Sequence, residues 1–129
     1  MENKLRIMVI DDEKIVGKRL KPALEKTGDE VEVFEDAKEA LASFRERPFD
    51  IVVTDIRMDE IDGLEVLEQV LMHSAKTKVI IITGYATVEV AREALSKGAF
   101  DFIAKPFKPN DLRAIIQKAA KAIAQNGNG

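Results

Sequence analysis

The sequence predicts an α/β fold, a doubly wound parallel five-stranded sheet built from five βα units. Short apolar runs alternate along the chain with longer amphipathic segments, and this alternation indicates a parallel sheet with helices on both faces. The apolar runs are continuous and rich in β-branched residues, which is typical of strands that are covered on both sides. These two observations carry the prediction.

The predicted strands are short and differ in how strongly the sequence marks them. The clearest signal is the uninterrupted run of Val79, Ile80, Ile81 and Ile82. In residues 31–34 apolar and acidic residues alternate, which fits an edge or half-exposed strand. The predicted strands cover residues 5–10, 31–34, 51–53, 78–82 and 101–104.

Amphipathic helices are predicted after each strand, because apolar residues recur there at helical spacing. The predicted apolar stripes are Val16, Leu20 and Leu24; Ala37, Ala40, Leu41 and Phe44; Leu64, Leu67 and Leu71; Val88, Ala91, Ala94 and Leu95; and Leu112, Ile115, Ile116, Ala119 and Ile123. Pro22 lies inside the first pattern, at residues 14–26, and predicts a kink or an early end there.

Helix ends are marked by capping residues. Asp36 with Glu39, and Asp62 with Glu65, have the spacing of a capping box, and Pro109 suits the first turn of the last helix. At the other end, residues 28 and 98 are glycines just past the first and fourth helices, where C-terminal caps belong.

The composition excludes several kinds of protein. The 129 residues suit one domain, placed at residues 1–124, with an Asn- and Gly-rich tail at 125–129 that we expect to be disordered. Without Cys there is no thiolate site, and a single His excludes a multi-histidine metal site. A net charge of −3 lacks the basic excess of a nucleic-acid-binding domain. No apolar run reaches the ~20 residues that span a bilayer, so we expect a cytoplasmic protein without membrane or direct nucleic-acid binding.

Charged and polar residues follow four of the predicted strands. They are Asp11-Asp12-Glu13, Asp55, Thr83-Gly84 and Lys105-Pro106. Because parallel strands end at one edge of the sheet, and sites form at this edge, these side chains are expected to converge.

The expected cluster has the chemistry of a phosphoryl receptor. Neighbouring carboxylates repel one another unless a cation neutralises them, and oxygen ligands suit Mg²⁺. With a lysine and a threonine hydroxyl in reach, one carboxylate can act as the nucleophile and form an acyl phosphate. Taken singly, each residue has a structural explanation, Asp12 and Glu13 included, since acidic residues are common in turns and at helix starts. Their joint occurrence favours a site.

The chain resembles the receiver domain of bacterial two-component response regulators over about residues 4–123. The segments that carry the resemblance are Val9-Ile10-Asp11-Asp12-Glu13, Val53-Thr54-Asp55-Ile56-Arg57-Met58, Asp62-Gly63-Leu64, Ile82-Thr83-Gly84-Tyr85 and Gly98-Ala99-Phe100-Asp101-Phe102-Ile103-Ala104-Lys105-Pro106-Phe107. Residues 83–107 look most like receivers of the NtrC type. The implied strand order is flavodoxin-like, 2-1-3-4-5.

The resemblance implies the chemical roles in the cluster. Asp55 matches the phosphoacceptor. Asp11 and Asp12 match the acidic pair that holds Mg²⁺ (or Mn²⁺), with Asp55 and the backbone carbonyl of Arg57 as further ligands. Lys105 matches the lysine that pairs with the phosphoryl group.

The resemblance also implies a switch. Thr83 matches the hydroxyl that moves toward the phosphoryl group, with the backbone near Gly84 approaching it, and Phe102 matches the aromatic residue that then turns inward. The Lys105–Pro106 peptide bond is expected to be cis. The family usually has Tyr where Phe102 stands, so this chain lacks a phenolic hydroxyl there.

The loop after Asp55 departs from the family pattern. Asp59 stands where the family usually has Pro, which we expect to loosen the loop and to add negative charge near the site. Arg57 and Tyr85 flank the phosphoryl position, and our hypothesis is that they tune the phosphoryl lifetime by shielding it from water.

The implied function is a signalling switch rather than an enzyme, although it catalyses its own phosphorylation and dephosphorylation. A sensor histidine kinase or phosphotransfer protein would dock near residues 16–20 of the first helix. Phosphorylation would change the face formed by the fourth helix, fifth strand and fifth helix, which would control a partner or an output domain and offers a homodimer contact.

Other functions fit parts of the pattern. An aspartyl-phosphate hydrolase needs a second Asp two residues after Asp55, but Arg57 stands there and cannot serve as a general acid at neutral pH. An FMN carrier needs a phosphate cradle where residues 11–13 are acidic. A receiver that only binds partners would not need the acidic pair, Thr83 and Lys105 together. His73 is expected to be a solvent-exposed helix-end residue rather than a phosphorelay histidine.

Overall fold

A computed structural model describes residues 4–56, 61–84 and 88–127. The strands are β1 (Arg6–Ile10), β2 (Glu30–Phe34), β3 (Ile51–Asp55), β4 (Lys78–Thr83) and β5 (Asp101–Ala104). The helices are α1 (Lys14–Glu25), α2 (Ala37–Glu46), α3 (Gly63–His73), α4 (Val88–Ser96) and α5 (Pro109–Gly127). The strands form one parallel sheet in the order β2-β1-β3-β4-β5, which confirms the predicted fold and strand order.

Helices cover both faces of the sheet. Because successive side chains along a strand point to opposite faces, each strand contributes to two cores. In β1, Ile7 and Val9 pack in a core with α1 and α5, whereas Met8 and Ile10 pack in a second core with α2, α3 and α4. All four are fully buried. The edge position of β2 agrees with its alternating sequence.

The helix stripes are confirmed in part. The predicted stripe of α2 is entirely buried. In α3 the buried apolar residues are Val66, Leu67 and Val70, while the predicted Leu64 and Leu71 are only partly buried. In α4, Ala94 is buried but Leu95 is 49% exposed, because the next residue along a helix turns by about 100° away from the sheet.

Some predicted element ends are wrong. Helix α1 includes Pro22 and continues to Glu25, so it has no early end at the proline. Strand β3 extends through Asp55 instead of stopping at residue 53. Helix α5 continues through Gly127, so residues 125–127 are helical where a disordered tail was expected. Residues 128–129 lie outside the described residues.

The capping predictions are mostly confirmed. The Asp62 carboxylate accepts a hydrogen bond from the backbone N–H of Glu65 at 2.9 Å, which is the first of the two bonds of a capping box. The Glu65 carboxylate accepts from the side chain of Gln69. The Asp36 carboxylate instead accepts from the N–H of Lys38, at 2.8 Å. The glycines at 28 and 98 have φ of +88° and +106°, which only glycine adopts without strain. In the part of the chain that the structure describes, no helix is long and apolar enough to cross a membrane.

Candidate functional site

The strand register brings the predicted site residues to one edge of the sheet. Ile10 of β1 pairs with Thr54 of β3, so the next residues, Asp11 and Asp55, lie side by side. On the following strands, Thr83 is the last residue of β4 and pairs with Ala104 of β5, directly before Lys105. The expected convergence of these side chains is therefore seen in the structure.

Lys105 is the centre of this cluster. Its ammonium nitrogen, Nζ, lies 2.7 Å from Oδ2 of Asp55, 2.9 Å from Oδ2 of Asp11 and 3.0 Å from Oε1 of Glu13. Asp55 and Glu13 accept hydrogen bonds from the ammonium, whereas Asp11 contributes an ion pair, and its Oδ2 accepts no hydrogen bond. One cation thus links three acidic side chains from two strand ends and the start of α1.

Burial makes these contacts electrostatically strong. The side chains of Asp11 and Asp55 are 0% and 7% exposed, and that of Lys105 is 18% exposed. Burial raises the pKa of Asp11, although the contact with Lys105 and a hydrogen bond from the backbone N–H of Glu13 oppose the rise. Partial burial alone would lower the pKa of Lys105, but its contacts with Asp55, Asp11 and Glu13 raise it overall. Lys105 is therefore positively charged at neutral pH.

The cluster also has the donor set of a hard-cation site. Carboxylate oxygens of Asp11, Asp12 and Asp55 all lie within 4.8 Å of one another. Asp11 and Asp55 are buried, whereas Asp12 is exposed. An all-oxygen set that is open to water fits Mg²⁺, which keeps several of its own waters.

The backbone of Asp55 is held by a close contact with α3. The backbone N–H of Gly63 donates to the carbonyl of Ile56 at 2.8 Å. A Cβ atom at residue 63 would lie 2.3 Å from the carbonyl oxygen of Asp55 and 2.6 Å from Cα of Ile56. Only glycine allows this approach. Sequence reasoning quoted Gly63 within a motif but gave it no role.

Thr83 and Phe102, the residues of the predicted switch, lie on the neighbouring strands β4 and β5. Thr83 is fully buried, and its carbonyl accepts a hydrogen bond from the backbone N–H of Lys105 at 2.8 Å. Phe102 is half-buried and packs against the core shared by α2, α3 and α4. Gly84 is exposed, directly after Thr83. The Lys105–Pro106 peptide bond is cis.

Some predicted positions fall outside the described residues, and one contact was not foreseen. Arg57, Asp59 and Tyr85 lie in the segments that the structure does not describe. His73 ends α3 and is exposed, as predicted. Glu13, which the sequence placed at this edge without assigning it a role, makes direct contact with Lys105.

Comparisons with known proteins agree with this geometry. The family described as the response regulator receiver domain matches residues 7–117. Regulatory protein AtoC of Escherichia coli K12 is 41% identical over 114 residues, which are 88% of this chain and 25% of AtoC. Transcriptional regulatory protein FixJ of Bradyrhizobium diazoefficiens is 36% identical over 121 residues, covering 94% of this chain and 59% of FixJ. The chain thus spans from about a quarter to about three fifths of the length of these relatives.

Solved structures show the same architecture. A CheY-like receiver domain from Methanospirillum hungatei JF-1 superposes with a TM-score of 0.91 at 31% identity, covering 96% of this chain and 99% of that one. The beryllofluoride-activated NtrC4 receiver domain dimer superposes with a TM-score of 0.87 at 30% identity, covering 92% and 98%. Together with the acidic cluster and Lys105, these matches show that the chain belongs to the response regulator receiver domain family.

Proposed function

We propose that this chain receives a phosphoryl group on Asp55 and relays its presence as a change of shape. Phosphorylation on Asp and conformational switching are typical of the receiver family to which the chain belongs. The observation that carries the assignment to Asp55 is its contact with Lys105, 2.7 Å from Nζ to Oδ2, at the carboxyl edge of the sheet.

The transfer itself is a nucleophilic displacement at phosphorus. An Asp55 oxygen forms the new O–P bond while the bond from phosphorus to the donor breaks, and the electron pair of that bond leaves with the donor. Lys105 lies close enough to Asp55 to hydrogen-bond an oxygen of the arriving group and to offset its charge. Water attack on phosphorus later restores the carboxylate and releases inorganic phosphate.

A divalent cation is proposed to take part. Asp11, Asp12 and Asp55 would hold Mg²⁺ (or Mn²⁺), with the backbone carbonyl of Arg57 as a further ligand. When bound, the ion would neutralise negative charge on the phosphoryl oxygens. The all-oxygen donor set supports this proposal.

The switch is proposed to run from Thr83 to Phe102. The phosphoryl group adds about −1.5 to −2 charges at neutral pH, which favours approach of the Thr83 hydroxyl and of the backbone at Gly84. Movement of Thr83 would open space for the ring of Phe102, which pairs with Ile81 on the neighbouring strand. The face formed by α4, β5 and α5 would change as a result.

Arg57 and Tyr85 are proposed to set how long the phosphoryl group persists. Their side chains would shield it from water. We expect Arg57→Ala and Tyr85→Ala each to shorten the phosphoryl lifetime, and an unchanged dephosphorylation rate in both variants would refute this role.

A phosphodonor protein is proposed to dock beside the site. A groove of about 440 Å³ lies between α1 and the segment after β5, lined in part by Ile15, Val16, Arg19 and Phe107. Ile15 is 55% exposed, so its apolar side chain is accessible to a partner. This groove borders Lys105 and supports docking of a sensor histidine kinase or phosphotransfer protein on α1.

The output is proposed to pass through the α4-β5-α5 face. The curated relatives are regulatory proteins, and this chain carries no basic excess of its own, so DNA contact is assigned to other segments or partners. The NtrC4 receiver is a dimer when activated. Leu95, half exposed on α4, gives a second copy an apolar contact, whereas Ala119 of α5 is buried in the core and cannot. Leu95→Glu is expected to weaken any phosphorylation-dependent dimer in sedimentation measurements.

Acetyl phosphate tests the central proposal without a kinase. With Mg²⁺ and acetyl phosphate, the intact mass of the wild type is expected to rise by one phosphoryl group, and removal of Mg²⁺ with EDTA is expected to abolish the rise. Asp55→Asn is the matched variant, since it keeps the size of the side chain and removes the nucleophile. No mass increase in the wild type, or an equal increase in Asp55→Asn, would refute the assignment.

A further inference from the structure

Glu13 is the acidic residue in contact with the site to which the proposed function gives no task. We propose that Glu13 is a positioning residue that competes with the incoming phosphoryl group for Lys105, and so sets the rate of phosphorylation and the affinity for phosphoryl-like anions. This inference rests on the proposed function of Asp55. It is carried by three features of Glu13: its place in the chain, its exposure and its partner.

The place of Glu13 in the chain would ordinarily be explained by helix capping. Glu13 is the N-cap residue of α1, yet its side chain makes no capping hydrogen bond. Serine, threonine, aspartate and asparagine are preferred at this position because their short side chains reach the first N–H groups of the helix. Glu13 instead extends to Nζ of Lys105, a residue 92 positions away in the chain. Helix formation therefore does not account for the side chain.

Exposure separates Glu13 from the other carboxylates on Lys105. The Glu13 side chain is 60% exposed, compared with 0% for Asp11 and 7% for Asp55. Lys105 donates hydrogen bonds to Asp55 and Glu13 and forms an ion pair with Asp11, so an incoming anion competes with these carboxylates for the ammonium. A buried carboxylate that loses its partner carries a large desolvation penalty, whereas an exposed one is rehydrated. The contact with Glu13 is therefore the one that an anion displaces.

The negative charge of Glu13, like its competition for Lys105, is expected to weaken the binding of phosphoryl-like anions. The Glu13 carboxylate places a negative charge in contact with the cation that would receive the phosphoryl oxygens, so it opposes the approach of an anionic donor. Lys105 does not depend on Glu13 for its position, because Asp11 and Asp55 hold the same nitrogen at 2.9 and 2.7 Å. Removing the charge should therefore strengthen anion binding rather than disorder the lysine.

The substitution Glu13→Gln isolates the charge. Glutamine has the same length and keeps an amide oxygen that accepts from Lys105, and the backbone N–H of residue 13 still donates to Oδ1 of Asp11, a bond of 2.9 Å. The matched control is Glu30→Gln, which neutralises another exposed glutamate paired with a cation, Arg6, outside the site.

The measurement is the dissociation constant for beryllium fluoride, a phosphoryl mimic, at saturating Mg²⁺, together with the acetyl phosphate concentration dependence of phosphorylation. We expect Glu13→Gln to bind beryllium fluoride about two- to fivefold more tightly and to be phosphorylated faster by the same factor, the range typical of exposed ion pairs. The gain should shrink as ionic strength rises. Glu30→Gln should equal wild type.

The results that would refute the role of Glu13 differ from those that would refute phosphorylation of Asp55. If the wild type is phosphorylated on Asp55 but folded Glu13→Gln binds beryllium fluoride no more tightly than wild type, the role of Glu13 is refuted alone. A gain in Glu13→Gln that Glu30→Gln shares would refute it too, because the effect would then come from net charge. If the wild type takes no phosphoryl group, both proposals fall together.

Discussion

The two ends of the sheet each hold a partly buried cation among carboxylates, but they are built differently. At the amino end, Arg6 of β1 donates to Glu30 and Glu32, both at 3.2 Å, and to two backbone carbonyls of residues 47–48. Its guanidinium also lies 4.0 Å from the ring centroid of Phe49. The two glutamates are 45% and 44% exposed, so water solvates their negative charges.

The carboxyl end reverses this arrangement. There the buried groups are the acids, and Lys105 is the cation that Asp11, Glu13 and Asp55 share. Asp12 adds a further carboxylate to the same cluster. The described part of this edge therefore carries more negative than positive charge. Because Asp11 and Asp55 are buried, water solvates their charges only in part.

Under the proposed function, the cluster at the amino end supports the fold and the cluster at the carboxyl end supports chemistry. Arg6 joins β1, β2 and the loop before β3, and each of its contacts is complete without a ligand. The Lys105 cluster is short of positive charge until a cation arrives. Each of the following predictions tests whether the two ends differ in this way.

The largest loss of unfolding free energy is expected from Lys105→Met. Loss of the ammonium leaves Asp11 and Asp55 buried beside each other without a counter-charge, and breaking such a pair costs about 3 kcal/mol of unfolding free energy. Urea denaturation at neutral pH in EDTA measures this loss. Mg²⁺ should recover part of it, because a bound cation stabilises the folded state by linkage.

Lys97→Met is the control for Lys105→Met. Lys97 pairs with Glu68 on the surface between α3 and α4, with 36% of the lysine side chain exposed. We expect this variant to lose far less stability and to show no added response to Mg²⁺. Equal losses in the two variants would remove the distinction between a buried and an exposed lysine pair.

Arg6→Met is expected to cost less, about 2 kcal/mol, because it removes charged hydrogen bonds and the ring contact with Phe49 but strands no buried acid. Urea denaturation measures the loss, which Mg²⁺ should not specifically reverse. Phosphorylation of Asp55 by acetyl phosphate should keep its wild-type rate in this variant. A selective rescue by Mg²⁺, or a slower phosphorylation of the folded variant, would contradict a purely supporting role for the amino end.

Much of this contrast could be predicted from the sequence. The continuous apolar runs identify buried parallel strands, and a parallel sheet places Asp11, Asp55, Thr83 and Lys105 at one edge whatever the details of packing. The fold and the members of the cluster follow from patterns of local sequence together with one rule of topology.

The contacts that decide the electrostatics could not be predicted. Whether the side chain of Glu13 caps α1 or reaches Lys105 depends on the relative positions of β1 and β5, which no local pattern specifies. The approach of Gly63 to the carbonyl of Asp55 depends equally on how α3 packs. Leu95 fits a helical stripe but faces solvent, because periodicity alone does not fix how wide a face the sheet covers.

Asp11→Asn is expected to change the unfolding free energy by a smaller amount that depends on pH. Burial raises the pKa of Asp11 above the ordinary 3.8, so the folded state holds this proton more tightly than the unfolded state. Its contribution to stability is complete below 3.8 and is lost as the pH rises through the raised pKa of the folded state. In EDTA, the stability of Asp11→Asn relative to wild type should therefore increase across that interval.

Urea denaturation of both proteins over a series of pH values checks this sign, because titrations elsewhere cancel in the difference. A difference that stays flat or declines with rising pH would show that Lys105 fully offsets the burial of Asp11. In that case the carboxyl end would be balanced like the amino end.

The smallest loss of unfolding free energy is expected from Glu30→Gln at the amino end. Its carboxylate is 45% exposed and shares Arg6 with Glu32, so removing the charge leaves the guanidinium with its other partners. We expect a loss of about 0.5 kcal/mol in urea denaturation, decreasing with added salt. The same substitution type at Glu13 should change phosphoryl-anion binding while costing little stability. A stability loss at residue 30 as large as that of Arg6→Met would show that the amino end, too, depends on a single ion pair.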